Sequence, residues 1–131
     1  MRKQPMKLRT LTALWVGALA LAACGDDGPE GPGELAATLG GPTPVGAAVV
    51  EVRGTGVTGF EGAGSTRTFS GSPSAGVHRV VLVATTPGDL HFRIRVQDRQ
   101  SDAPSVTVVS AVDAQNAPLS SVAPYSVKVT R

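Results

Sequence analysis

Strict alternation of apolar and polar residues identifies the clearest element of this chain. From residue 90 to residue 96 the sequence reads LHFRIRV, in which each apolar residue but the last is followed by a His or an Arg. A period of two predicts a β-strand with one buried and one solvated face, which places Phe92 in the core and Arg93 in solvent. Residues 125–130 alternate in the same way and predict a second strand, with Tyr125 buried.

Less regular apolar segments predict the remaining strands. Clusters of Gly, Pro, Ser and Asp separate them and are typical of turns. Seven short strands at regular spacing, without a convincing amphipathic helix, predict an all-β chain with a single antiparallel β-sandwich. Residues 79–84 are apolar on both faces, which favours a central strand. The five additional predicted strands are residues 35–39, 47–53, 67–70, 78–84 and 106–112.

The N-terminal residues have the anatomy of an export signal. Residues 1–9 carry four basic side chains and no acid, and residues 11–23 are almost entirely apolar. A charged start followed by a short apolar run predicts a cleaved signal peptide. The run is shorter than the roughly 20 residues that a membrane-spanning helix needs.

The segment Leu21-Ala22-Ala23-Cys24 contains the only cysteine of the chain and resembles the lipobox of bacterial lipoproteins. The resemblance implies cleavage before Cys24, a diacylglyceryl group on its sulfur and an acylated amino terminus, so that residues 1–23 are the signal peptide. Gly25 follows the cysteine where Asp would retain a lipoprotein in the inner membrane, which implies the outer membrane in a cell that has one. The alternative is an ordinary secretory signal that ends at Ala23 and leaves a free thiol.

The sequence after the cysteine divides into a tether and one domain. Residues 25–33 read GDDGPEGPG and offer no apolar side chain to bury, so residues 24–33 are predicted to be the lipidated Cys24 and a disordered tether. Residues 34–131 are long enough to form one β-sandwich domain with a modest core. Removal of the leader leaves eight basic residues against ten acids, a formal net charge of −2. Nucleic-acid binding, which needs a basic surface, is not expected.

Motifs for catalysis, cofactors and metals are weak. Residues 54–59 match GxGxxG but precede a glycine-rich stretch that cannot open a helix, so we interpret them as a turn or bulge. His78 and His91 could form a triad with Asp89 and a serine, but the GxSxG pattern is missing. Asp98 and Asp102 are too few oxygen ligands for a dedicated calcium loop, and two histidines are too few for zinc. We therefore predict no catalytic residue, cofactor or metal site.

Carbohydrate binding would need exposed aromatic rings. The strand pattern assigns Phe92 and Tyr125 to the core, which leaves only Phe60 and Phe69. A concave pocket lined by these two phenylalanines would favour a solute- or glycan-binding lipoprotein.

The C-terminal half resembles cohesin-type sandwich domains. The resemblance rests on GDLHFRIRV at residues 88–96, VTVV at 106–109, DAQNAPL at 113–119 and VKV at 127–129. It implies a jelly-roll or immunoglobulin-like sandwich that uses a sheet face to hold a protein partner. The sequence thus predicts a lipid-anchored cell-envelope protein, not an enzyme, whose sandwich serves as an adaptor or structural binding module for a protein or an envelope polymer.

The lipid anchor predicts the behaviour of a single substitution. Cys24→Ser should release the mature protein from membranes or leave an uncleaved precursor, because several acyl chains together make a stable anchor. Detergent phase partitioning of the two proteins measures the difference. Identical partitioning into the aqueous phase would contradict the anchor.

Overall fold

The computed structural model describes residues 31–131, which form eight strands and no helix. The predicted signal peptide, Cys24 and the predicted tether up to Glu30 lie outside the described residues. The all-β prediction is confirmed. The strands are β1 (Gly33–Gly40), β2 (Val45–Arg53), β3 (Val57–Ala63), β4 (Thr66–Ser74), β5 (Val77–Gly88), β6 (Leu90–Val96), β7 (Ser105–Asp113) and β8 (Ser126–Thr130).

The strands form two four-stranded antiparallel sheets packed as a sandwich. Sheet I has the order β3-β6-β1-β8, and sheet II has the order β4-β5-β2-β7. The chain crosses between sheets at every connection except the β4–β5 hairpin, whose turn contains Gly76 at φ +71°. Since β5 lies between β4 and β2, the predicted interior position of residues 79–84 is confirmed.

Alternating side chains from both sheets build one core. In β6 the burial alternates at every residue, with Phe92 1% exposed and Arg93 and Arg95 in solvent. The register predicted for this strand is therefore confirmed. Tyr125 is buried just before β8, where its hydroxyl lies 2.6 Å from Thr43 Oγ1. The largest fully buried side chains are Leu39, Val45, Val50, Val52, Val80, Leu82, Leu90, Phe92 and Ile94.

One strand, β3, was not predicted. The sequence VTGFEGA at residues 57–63 contains two glycines, and strand interiors are normally depleted in glycine. The loop before it includes Gly56 at φ +76°, and the pairing with β6 shifts between Val57 and Gly59. The turn at residues 54–56 and the register shift at residues 57–59 agree with the predicted turn or bulge, but β3 begins within this stretch, at Val57.

Gly62 lies where the chain crosses from β3 in sheet I to β4 in sheet II. A Cβ at this position would lie 2.0 Å from the Thr66 carbonyl oxygen, because β3 passes directly beside the start of β4. Thr66 is buried, and its Oγ1 accepts a hydrogen bond from the His91 backbone N at 3.1 Å. The backbone of β3 at Gly62 therefore contacts the backbone of β4 at Thr66. Only glycine permits so close an approach, because it has no Cβ.

The register of β6 predicts unequal effects of two neighbouring substitutions. Phe92→Ala should lower the free energy of unfolding by about 3 to 5 kcal/mol, because it leaves a cavity in the core. Arg93→Ala should cost about 0.5 kcal/mol or less, as an exposed side chain does. Denaturant titration of both variants measures this. Equal losses would mean that the strand faces the other way.

The close approach at Gly62 predicts a second pair of effects. Gly62→Ala should destabilise the fold by about 1 to 3 kcal/mol, because backbone must move to admit the methyl group. Gly71, in the edge strand β4, has open space where a Cβ would lie. Gly71→Ala is the matched control and should be neutral or slightly stabilising. Thermal unfolding of the two variants compares them, and equal melting temperatures would refute the tight contact.

Candidate binding surface

The outer face of sheet II carries a row of apolar side chains. Phe69 of β4 pairs with Val81 of β5, which pairs with Val49 of β2. In β7 the register shifts opposite Val49 and Val50, and Val109 is the extra residue of that bulge. Of the large hydrophobic residues described, those that are exposed all belong to this sheet: Phe69 at 63%, Val109 at 43% and Val81 at 38%. We call Phe69, Val81, Val49 and Val109 the apolar stripe.

A shallow cleft of about 260 Å³ adjoins the apolar stripe. Its wall at one end is the loop that follows β7, held by a backbone hydrogen bond of 3.0 Å from Leu119 N to Ala111 O. The Asp113 carboxylate accepts two backbone hydrogen bonds inside this loop, and Asn116 has a φ of +63°. The loop is therefore fixed in shape. The cleft is lined mainly by Ala47, Val49, Val81, Ser110, Val112 and Pro118.

Charged residues flank the apolar stripe, and most of them are basic. Glu51 forms ion pairs with Arg53 and with Arg79, the latter at 3.6 Å. Arg67 lies on the other side, in the row that pairs with Val83. Three arginines against one glutamate give this face a positive rim around an apolar centre.

The outer face of sheet I has a different character. Arg95 bonds Glu61 at 2.9 Å, and Glu34 lies 3.7 Å from Arg95 and 3.8 Å from Arg93. The hydrogen bond with Glu61 raises the pKa of Arg95 above its ordinary value, so the guanidinium stays charged. The two arginines of β6 are thus matched by two carboxylates on this face, and exposed ion pairs of this kind contribute little to stability.

The two histidines lie on different sheets and bind hydroxyl groups. His78 Nδ1 is 2.8 Å from Ser72 Oγ in the β4–β5 hairpin. His91 Nδ1 is 3.1 Å from Thr38 Oγ1, its cross-strand neighbour in β1. Among the hydrogen bonds of the described residues, neither ring is joined to a carboxylate. The geometry does not assemble the triad that the sequence left open.

The two candidate aromatic residues do not form a joint platform. Phe60 is partly buried and packs edge-on against His78, with ring centroids 5.5 Å apart. Phe69 projects from the outer face of sheet II. The clefts of about 260, 180 and 290 Å³ on the described surface are lined by neither ring. The pocket that would favour glycan binding does not form between them.

Asp98 and Asp102 line a small cleft at one end of the sandwich. The Asp98 carboxylate accepts hydrogen bonds from Gln100 N at 2.9 Å and from Ser101 Oγ at 3.2 Å, so it stabilises the turn. Residues 31–131 bring no three His, Cys, Asp or Glu side chains together in a group able to hold a metal ion. The same residues include no helix with the length and hydropathy of a membrane span. The predicted lipidation site Cys24 lies outside them.

Sequence reasoning missed the apolar stripe, although its signal was present. Residues 79–84 are apolar on both faces, and Phe69 is one of the two aromatic residues that the strand pattern leaves outside the core. The pairing of Phe69 with Val81 and of Val81 with Val49 depends on the strand order, which cannot be read from the sequence.

No protein-family model, no curated protein and no solved structure matches the chain, so the resemblances to lipoproteins and to cohesin-type domains stay predictions.

Proposed function

We propose that this chain is a lipid-anchored protein of the cell envelope whose sandwich is a non-catalytic binding module for another protein. The anchor would be Cys24, which follows the basic and apolar leader in the order expected of a lipoprotein signal. Gly25 supports the outer membrane as its location. The binding surface would be the apolar stripe and the cleft beside it.

The observation that carries the binding role is the concentration of exposed apolar side chains on one sheet face. Each exposed hydrophobic residue has no consequence by itself, but a contiguous patch rimmed by polar groups is typical of a protein interface. Phe69 is the natural anchor, since it is the most exposed large apolar side chain of the stripe and a few large side chains carry most of the binding energy of an interface. The adjacent cleft can receive a side chain of the partner.

The rim indicates the chemistry of the partner. Arg53, Arg67 and Arg79 surround the apolar stripe, and Glu51 partly neutralises two of them. An apolar patch flanked by carboxylates would be complementary to this surface, because opposite charges at a rim speed association and select the partner. We therefore infer a protein partner with an acidic rim, which an uncharged glycan could not supply.

The binding surface can be tested in intact cells by site-specific photo-cross-linking. A photoreactive residue in place of Phe69 or Val81 should form an adduct with one partner, to be identified by mass spectrometry. The same residue in place of Lys128, exposed on the outer side of sheet I, is the control and should not form that adduct. Adducts that are equally abundant at all three positions would contradict a specific face.

The identified partner then allows a quantitative test. Phe69→Asp should weaken its binding by about 2 kcal/mol, roughly thirtyfold in Kd, because it places a carboxylate in the apolar stripe. Lys128→Asp should leave the Kd unchanged. Titration calorimetry with purified proteins measures both.

A double variant, His78→Ala with His91→Ala, tests the non-catalytic role. It should keep the cellular function. Loss of that function with an unchanged fold would favour an enzymatic role instead.

A further inference from the structure

The outer edge of β7 is the least protected sheet edge in the described part of the chain. Unpaired edges are normally guarded by charged residues, prolines, β-bulges or short length. The bulge of β7 lies at Val109 and leaves residues 105–108 without such protection. The edge strand β3 carries Glu61, β4 carries Arg67 and Pro73, and the five-residue β8 carries Lys128. In β7 no charged residue occurs between Asp102 and Asp113.

Half of this edge is already covered, and the other half is open. Beyond Ser110, the loop after β7 pairs with the strand through Leu119 N to Ala111 O at 3.0 Å and Asp113 N to Ala117 O at 2.9 Å. Residues 105–109 have β2 on one side and no described strand on the other. Alternate residues of this segment direct their backbone N–H and C=O away from β2.

The open half borders a groove between the two sheets. The groove has a volume of about 290 Å³ and separates β7 from β8. Val106, Val122 and Val127 are only partly buried there, and they pack against the core from its open side. An added strand could cover them. The apolar lining consists mainly of Val106, Val108, Val122, Ala123, Tyr125 and Val127.

The sequence of the open segment is complementary to itself. Paired residues of antiparallel strands lie on the same face, so a two-fold axis must pass through a residue and not between two residues. An axis at Thr107 pairs Val106 with Val108 on the inner face, Thr107 with Thr107, and Ser105 with Val109 on the outer face. No like charges meet, and Thr–Thr and Val–Val pairs are favourable across strands.

We propose that a second copy of this chain adds to the open edge, so that β7 pairs antiparallel with β7 of its partner about a two-fold axis at Thr107. The pairing ends at Val109, where the bulge begins and the loop starts to cover the edge. The two copies form one continuous eight-stranded sheet. Both apolar stripes then lie on the same face of that sheet, and each acquires a second binding surface beside it.

Disulfide trapping tests this arrangement on the purified full chain in detergent. Paired residues in antiparallel strands have Cα atoms about 4.5 to 5.5 Å apart, within the range of about 4.4 to 6.8 Å that a disulfide spans. Thr107→Cys should therefore become mostly a disulfide-linked dimer on mild oxidation. Ser70→Cys, exposed on the opposite edge of the same sheet, and the parent chain with Cys24 alone are the controls. They should stay mostly monomeric on a non-reducing gel.

Sedimentation of the same chain without an added cysteine gives an independent measurement. The parent should sediment as a dimer, Thr107→Lys as a monomer because two charges meet on the axis, and Ser70→Lys as a dimer, with circular dichroism confirming the fold of each. Equal trapping of Thr107→Cys and Ser70→Cys, or a parent that is monomeric at every concentration, would overturn the proposal. The measurement contains no other protein, so its result is separate from that of the proposed binding function.

Discussion

The interleaved layer of aliphatic side chains between the two sheets is the contact on which the rest of the structure depends. Strands β1, β2, β5 and β6 contribute most of it, and β6 places every second residue in it without exception from Leu90 to Val96. Fully burying a side chain such as Phe92 or Leu82 contributes about 1.5 to 3 kcal/mol. Residues 31–131 contain no cysteine, so no disulfide within them assists this layer, and its alternation decides which residues remain outside.

The two outer faces use their remaining positions differently. On sheet I the solvated arginines of β6 form ion pairs with Glu34 and Glu61 on the neighbouring strands. On sheet II the corresponding positions of β5 and β2 include Val81 and Val49. On sheet I the arginines of β6 are therefore paired with carboxylates, whereas sheet II leaves apolar side chains exposed to water. That asymmetry separates a face suited to solvent from a face suited to a partner.

The sequence predicted the sandwich and the register of β6, because LHFRIRV alternates in both polarity and burial. It predicted the interior position of residues 79–84 for a different reason, because that segment is apolar on both faces. It did not predict β3, since Gly59 and Gly62 oppose strand propensity. Gly62 is present because β3 runs beside the start of β4, a contact that the sequence does not reveal. It also could not predict the apolar stripe, because the strand order that joins Phe69, Val81 and Val49 is a long-range property of the fold.

The valines on both faces of β5 raise the question of what fixes its register. A slip of one residue would exchange Val80 and Leu82 with Val81 and Val83, at little cost in hydrophobic burial. It would also turn Arg79 toward the core and separate it from Glu51, its direct partner in β2. Since burying an unpaired charge is far more costly than exposing a valine, the charge of Arg79 opposes this slip. The polar residues of sheet II therefore keep its apolar stripe on the outside.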